Sequence, residues 1–141
     1  MIYTLYDMKT GRIQGLTNSQ TRSQQEPSVE GSWPADIYYI KNKNIKPFPP
    51  KPSSAFWHVY DWDLSSETWR LLQDQTDQAA RAHRNTLFPY VDKVNPIWYA
   101  SMSETQQRIT QQYRKSLLDI TEQKGYPVAI EWPNIPGFLR N

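Results

Sequence analysis

Ile109, Tyr113, Leu117 and Ile120 fall at i, i+4, i+8 and i+11, while Gln107, Gln111, Arg114 and Lys115 fall on the faces expected to be exposed. A period of 3.6 residues gathers such positions into one stripe, so this segment reads as an amphipathic helix that must bury the stripe against another element. Ser101 and Glu104 stand in the spacing of a capping box at its start. Gly125 is placed for a left-handed C-cap, and Pro127 prevents continuation. The rest of the chain must supply the layer this helix packs on.

One such layer is a second helix. Thr76 or Asp77 can cap a segment carrying Ala79, Ala80, Ala82, Leu87 and Phe88 that stops near Pro89, with Asn95-Pro96 marking a turn. The other layer is extended chain. Ile2 to Tyr6 is rich in strand formers, Asp7 to Gly11 has turn chemistry, and Arg12 to Leu16 returns. Residues 17–30 are polar and read as a long loop. Ile37 to Ile40, a turn at 41–44 and Ile45-Lys46 form a second hairpin; Phe56 to Tyr60, a turn around Asp61 to Glu67 and Thr68 to Leu71 form a third. One long helix from Ser65 to Phe88 competes with the third hairpin, but Gln73 to Gln78 interrupts any apolar stripe. Pro47, Pro49, Pro50 and Pro52 make a stiff connector, conceivably a polyproline ligand.

The fold class expected is therefore α+β: N-terminal antiparallel β-hairpins, then a C-terminal two-helix unit over 76–123 and an extended Trp-Pro tail. As domains this is a hairpin region over 1–72, with the connector at 47–52, and a helical region over 73–141.

Six Trp, nine Tyr and four Phe in 141 residues let a rather polar chain close a core, and equally suit an interface. Sixteen basic against 14 acidic residues, with no basic block, argue against nucleic-acid binding. No Cys is present for a disulfide or thiolate site, and no apolar run is long enough for a membrane span or signal-peptide core. The expected protein is soluble and works where it is made.

Candidate chemistry is sparse. His58 and His83 lack an accompanying nucleophile motif, Asp61-Trp62-Asp63 reads as turn chemistry, and the five glycines are too scattered to cradle phosphate. The expectation is a non-enzymatic protein with no catalytic residue, cofactor or metal. Tyr126 to Pro133 differs: it is apolar and aromatic and lies beyond the last helix. Trp132 either folds back between the helices to complete the core or anchors another chain, as Trp commonly does at interfaces.

Arg84-Asn85-Thr86-Leu87-Phe88 with Asp92, then Tyr113-Arg114, Leu117, Asp119-Ile120, Gly125-Tyr126-Pro127 and Trp132-Pro133, resemble the conserved helical region and closing signature of the bacteriophage tail assembly chaperone and tail-fibre assembly proteins. The similarity spans about residues 81–136. Val91-Asp92-Lys93 stands where that family frequently carries Ser-Asp-Trp. Tyr6-Asp7 with Thr10 to Ile13, and Val29 to Gly31 with Tyr38 to Ile40, more loosely resemble hairpin openings of neighbouring tail proteins.

The resemblance implies a non-enzymatic virion or assembly protein that binds a tail fibre or other baseplate component. It would act as a transient chaperone in the host cytoplasm or stay in the virion tail, with room for a homo-oligomer following fibre symmetry. The partner-binding residues it suggests are Arg114, Tyr126, Ile130, Trp132 and Pro133. The alternative is a carbohydrate-binding, host-receptor module stacking glycan on exposed, coplanar hairpin aromatics.

Overall fold

Seven strands precede most of the helical structure in a computed structural model that describes residues 1–140. The fold is α+β, with antiparallel sheets N-terminal and helices C-terminal. The chain divides into two compact units. Met1–Ser53 and Tyr60–Arg70 form one, here called the β unit; Ser54–Val59 and Leu71 onward form the other, the helical unit.

In the β unit, β1 (Tyr3–Tyr6) lies between β2 (Ile13–Thr17) and β3 (Ser28–Glu30), antiparallel to both. Gly11 makes the β1–β2 turn feasible twice over. Its φ is +69°, and a Cβ there would stand 2.8 Å from the Ile40 carbonyl oxygen. The segment expected as a loop over 17–30 instead holds helix α1 (Gln20–Gln25) as well as β3. Ser19 accepts from the Arg22 amide and supplies the cap, a local signal hidden in a uniformly polar stretch.

Strands β4 (Tyr38–Lys41) and β5 (Asn44–Pro47) pair antiparallel around Asn42 and Lys43, with φ of 52° and 63°. Strands β6 (Tyr60–Asp63) and β7 (Thr68–Leu71) form another two-stranded sheet. The third pair thus starts four residues later than the expected Phe56. Phe56 to Val59 belong to the helical unit instead, because their side chains bond and pack there.

The long-helix alternative for 65–88 does not occur, since β7 occupies 68–71. Helix α2 spans Gln73–Leu87, beginning before the expected Thr76 or Asp77 cap. Gln73, Asp74, Gln75 and Gln78 simply face solvent, while Thr76 is buried and accepts from the Val59 amide at 3.1 Å.

The helical unit contains more than two helices: α3 (Pro89–Asp92), α4 (Pro96–Ser101) and α5 (Glu104–Leu118) follow α2. Asn95-Pro96 does not merely turn the chain. The Asn95 side chain accepts from the Trp98 amide and starts α4, with Pro at the first helical position. The capping box is Ser103 with Gln106, two residues beyond the Ser101–Glu104 pair.

Tyr113, Leu117 and Ile120 are buried as the stripe requires, but Thr110 shares their burial and Ile109 is only half-buried. Gln107 is half-buried too, because its Nε2 donates to the Tyr99 carbonyl. A 3-10 turn over Asp119–Glu122 ends the helix. Gly125 is not a left-handed cap, since only Gly11 and Gly31 among the described glycines have positive φ. It is needed for a close approach: a Cβ there would lie 2.6 Å from the Ala129 Cβ.

The C-terminal segment is not an extended tail. Residues 124–128 form turns, and Gly137–Leu139 a 3-10 turn that carries a wholly buried Leu139 into the core. That core joins Leu87, Val91, Met102, Tyr113, Leu117, Ile120 and Leu139, with Ile130 and Trp132 partly buried against it.

Candidate functional site

Two clamps hold the closing segment against the helical unit. Gln123 works through both ends of its amide: Nε2 donates to the Glu131 carbonyl at 2.9 Å, and Oε1 accepts from the Glu131 amide at 2.8 Å. The side chain thereby satisfies a backbone pair as a neighbouring strand would. On the other side, the indole Nε1 of Trp57 donates to the Pro127 carbonyl at 2.7 Å, and His58 Nε2 bonds the Val128 carbonyl. These contacts bridge 70 residues of sequence.

Trp132 sits inside an aromatic cluster. Its ring meets His83 at 4.7 Å and 89°, Trp57 at 5.4 Å and 78°, and Phe56 at 6.0 Å. Edge-to-face geometry of this kind adds to the burial of each ring. The tail residue expected either as core or as anchor is therefore packed within its own chain. Phe56 remains 65% exposed at the border of the cluster.

The clamped segment and the C-terminal half of α5 enclose a groove of about 600 Å³. Gln112, Lys115, Ser116 and Asp119 form one wall, and Glu131, Trp132, Pro133 and Asn134 the other, with Gln123 at the end. Lys115 Nζ lies 2.8 Å from Asp119 on one wall, while Glu131 on the other has no ion pair among the described residues. The Asp119 carboxylate lifts the Lys115 pKa above its ordinary value.

The five suggested partner residues do not form one patch. Trp132 and Pro133 line this groove, while Ile130 is half-buried against the core. Tyr126 donates its hydroxyl to the Asp77 carboxylate, and Arg81 stands 5.9 Å from its ring. The Tyr126 hydrogen bond, ahead of the Arg81 pair, holds the Asp77 carboxyl below the usual range; burial, then the same bond, raises the phenol. Arg114 is exposed and lies on a different groove of about 530 Å³, with Val91, Val94, Pro96, Tyr99 and Thr110. Its Nε is 3.7 Å from Asp92.

Sequence reasoning read Phe56 to His58 as part of a strand, gave His83 no role and did not single out Gln123. Each acts through a partner distant in sequence or through a backbone group, and none of the three leaves a local pattern.

The remaining chemical candidates are engaged in structure. Asp61 lies 3.7 Å from Arg12 and 4.0 Å from Arg70. Asp63 accepts from the Ser65 amide and hydroxyl, and the hydroxyl bond above all lowers its pKa. No group of His, Cys, Asp and Glu able to hold a metal ion occurs among the described residues. No described helix is long and apolar enough to cross a membrane.

The hairpin aromatics pack on one another. Tyr39 and Trp62 are buried with ring centres 4.5 Å apart, and Phe48 meets Trp62 at 85°. The proline run is engaged internally, with Trp69 Nε1 donating to the Pro49 carbonyl at 2.7 Å. Comparison with protein-family models, curated proteins and solved structures finds no match to this chain.

Proposed function

We propose that this chain is a non-enzymatic bacteriophage tail protein that binds a tail fibre or another baseplate component through its helical unit. It serves as an assembly chaperone or as a subunit retained in the tail. The observation that carries the reading is the position of the motif residues Trp132 and Pro133. They wall a groove along α5, the helix that bears the Tyr113-Arg114 and Leu117 part of the same motif. Residues that the resemblance marks as a signature are thus divided between a fixed core, this groove and the second groove that Asp92 and Arg114 border. A groove pre-formed by clamped walls spares a partner the entropy of ordering a loose tail.

The glycan-stacking alternative has less support, since a platform needs exposed parallel rings and Tyr39 and Trp62 are buried and tilted.

The test is co-expression with the tail-fibre protein of the same phage genome. Ser116 is exposed on the groove wall, so Ser116→Arg fills the groove without entering the core. Co-purification of fibre with the unmodified chain, lost in Ser116→Arg at unchanged melting temperature, is the expected result. Absence of any association with fibre or baseplate proteins overturns the function; undiminished binding by Ser116→Arg overturns the groove as its seat.

A further inference from the structure

The grooves of the helical unit are lined in part by carboxylates, Asp119 and Glu131 in one and Asp92 in the other. A pocket in the β unit is not. It measures about 490 Å³, within the usual range for ligand sites. Tyr6, Ile40 and Leu64 are among its apolar lining, Met8 stands beside them, and Lys9, Lys41 and Lys43 are its charged lining residues. No carboxylate lines it. Nearby acids are committed elsewhere: Asp7 caps its own turn by accepting from the Lys9 and Thr10 amides, and Asp63 caps the Ser65 turn. Glu67 takes Lys41 at 3.4 Å, leaving Lys9 and Lys43 without an ion pair among the described residues.

Tyr6 is 5% exposed and contributes only the edge of its side chain to the lining. The unpaired lysine charge selects an occupant that is anionic. The lysines are flexible point charges rather than the planar fork of Arg, so they do not single out one anion geometry. Met8, 69% exposed, adapts to an apolar side chain beside them.

We propose that this pocket is a second binding site that receives an acidic peptide segment of a partner protein, its carboxylates between Lys9 and Lys43 and an apolar side chain against Met8 and Leu64. The inference is independent of the fibre reading, since it concerns other residues in the other unit. Peptide is favoured over saccharide because the apolar lining offers aliphatic groups and no exposed indole face.

The experiment titrates the peptide Glu-Asp-Leu-Asp-Glu, and its amide counterpart Gln-Asn-Leu-Asn-Gln, into the 15N-labelled full chain while following amide shifts. The expected result is saturable shifts at Tyr6, Met8, Lys43 and Leu64 with the acidic peptide alone, weakening steeply with added salt. The double variant Lys9→Gln, Lys43→Asn should bind about tenfold more weakly. Asn suits the left-handed backbone at position 43, so the hairpin keeps its turn. The salt dependence of the unmodified chain is read without any substitution. Equal binding of both peptides, salt-independent shifts, shifts confined to the helical unit, or binding of inorganic phosphate or sialyllactose but not the peptide, would overturn the proposal.

Discussion

The two units solve the problem of closing a core in a polar chain by different means. In the β unit the interior is largely ring on ring: Tyr39, Phe48, Trp62 and Trp69 lie within 4.5–5.2 Å of their neighbours. Polar groups lock it from outside. Glu67, at φ 52° in the β6–β7 turn, accepts from the Tyr39 hydroxyl at 2.6 Å and from Lys46 at 2.9 Å. In the helical unit the centre is mostly aliphatic, and sequence-distant segments close it: the 54–59 strap, the clamped turn and Leu139. Large rings let a few short strands fill a volume, whereas an aliphatic core of short helices needs every covering segment in place.

That contrast makes the end of the chain the most sensitive place in the molecule. Deleting residues 126–140 removes Leu139 and Trp132, and the helical unit is expected to lose its cooperative melt while the β unit keeps its near-ultraviolet aromatic signal. A truncated chain that melts as before would show that the segment is dispensable to the core. Leu117→Ala, at a fully buried position, should destabilise the helical unit by about 2–5 kcal/mol in a denaturant melt. A neutral result would remove α5 from the core. Gly125→Ala places a Cβ against Ala129 and should cost about 1–3 kcal/mol by the same assay. An unchanged midpoint would mean the turn relaxes freely.

The β unit offers a pH counterpart. Hydrogen bonds from Tyr39, then Lys46 and Lys41, hold the Glu67 carboxyl down from an ordinary 4.5 to about 2. A depressed carboxyl stabilises the fold above the unfolded value, and that contribution is lost as pH falls from about 4.5 through about 2. Glu67→Gln should therefore flatten the acid limb of the β unit's melting temperature across that window and leave the helical unit's unchanged. An identical acid limb in the variant would count against the clamp. The smallest effect belongs to Arg114→Ala, an exposed pair at 3.7 Å, expected within about 0.5 kcal/mol of the unmodified chain. A larger loss would mean Arg114 supports the fold as well as bordering a groove.

What the sequence made legible follows the same division. Turn chemistry at Asp7 to Gly11 and at Asn42-Lys43 acts within a few residues, so the strands around it could be read. The buried positions Tyr113, Leu117 and Ile120 followed from period alone. The Ser19 and Asn95 caps were local as well, but each starts a helix of six residues, too short for an apolar stripe to announce it. Trp132 could not be assigned from sequence, because core and interface both want a Trp, and only the rings of Trp57 and His83 decide its packing. The groove was illegible for a related reason: one wall depends on Gln123 bonding a backbone eight residues away.

Hydrogen–deuterium exchange over residues 126–140 tests most directly whether the closing segment is a built part of the helical unit. The amides of Ala129, Glu131 and Leu139 are bonded to Gly125, Gln123 and Pro136. They should exchange together with those of α5, at rates set by opening of the whole unit. Exchange of all three at the rate of an unstructured peptide, with α5 still protected, would contradict the account and return the segment to a free tail.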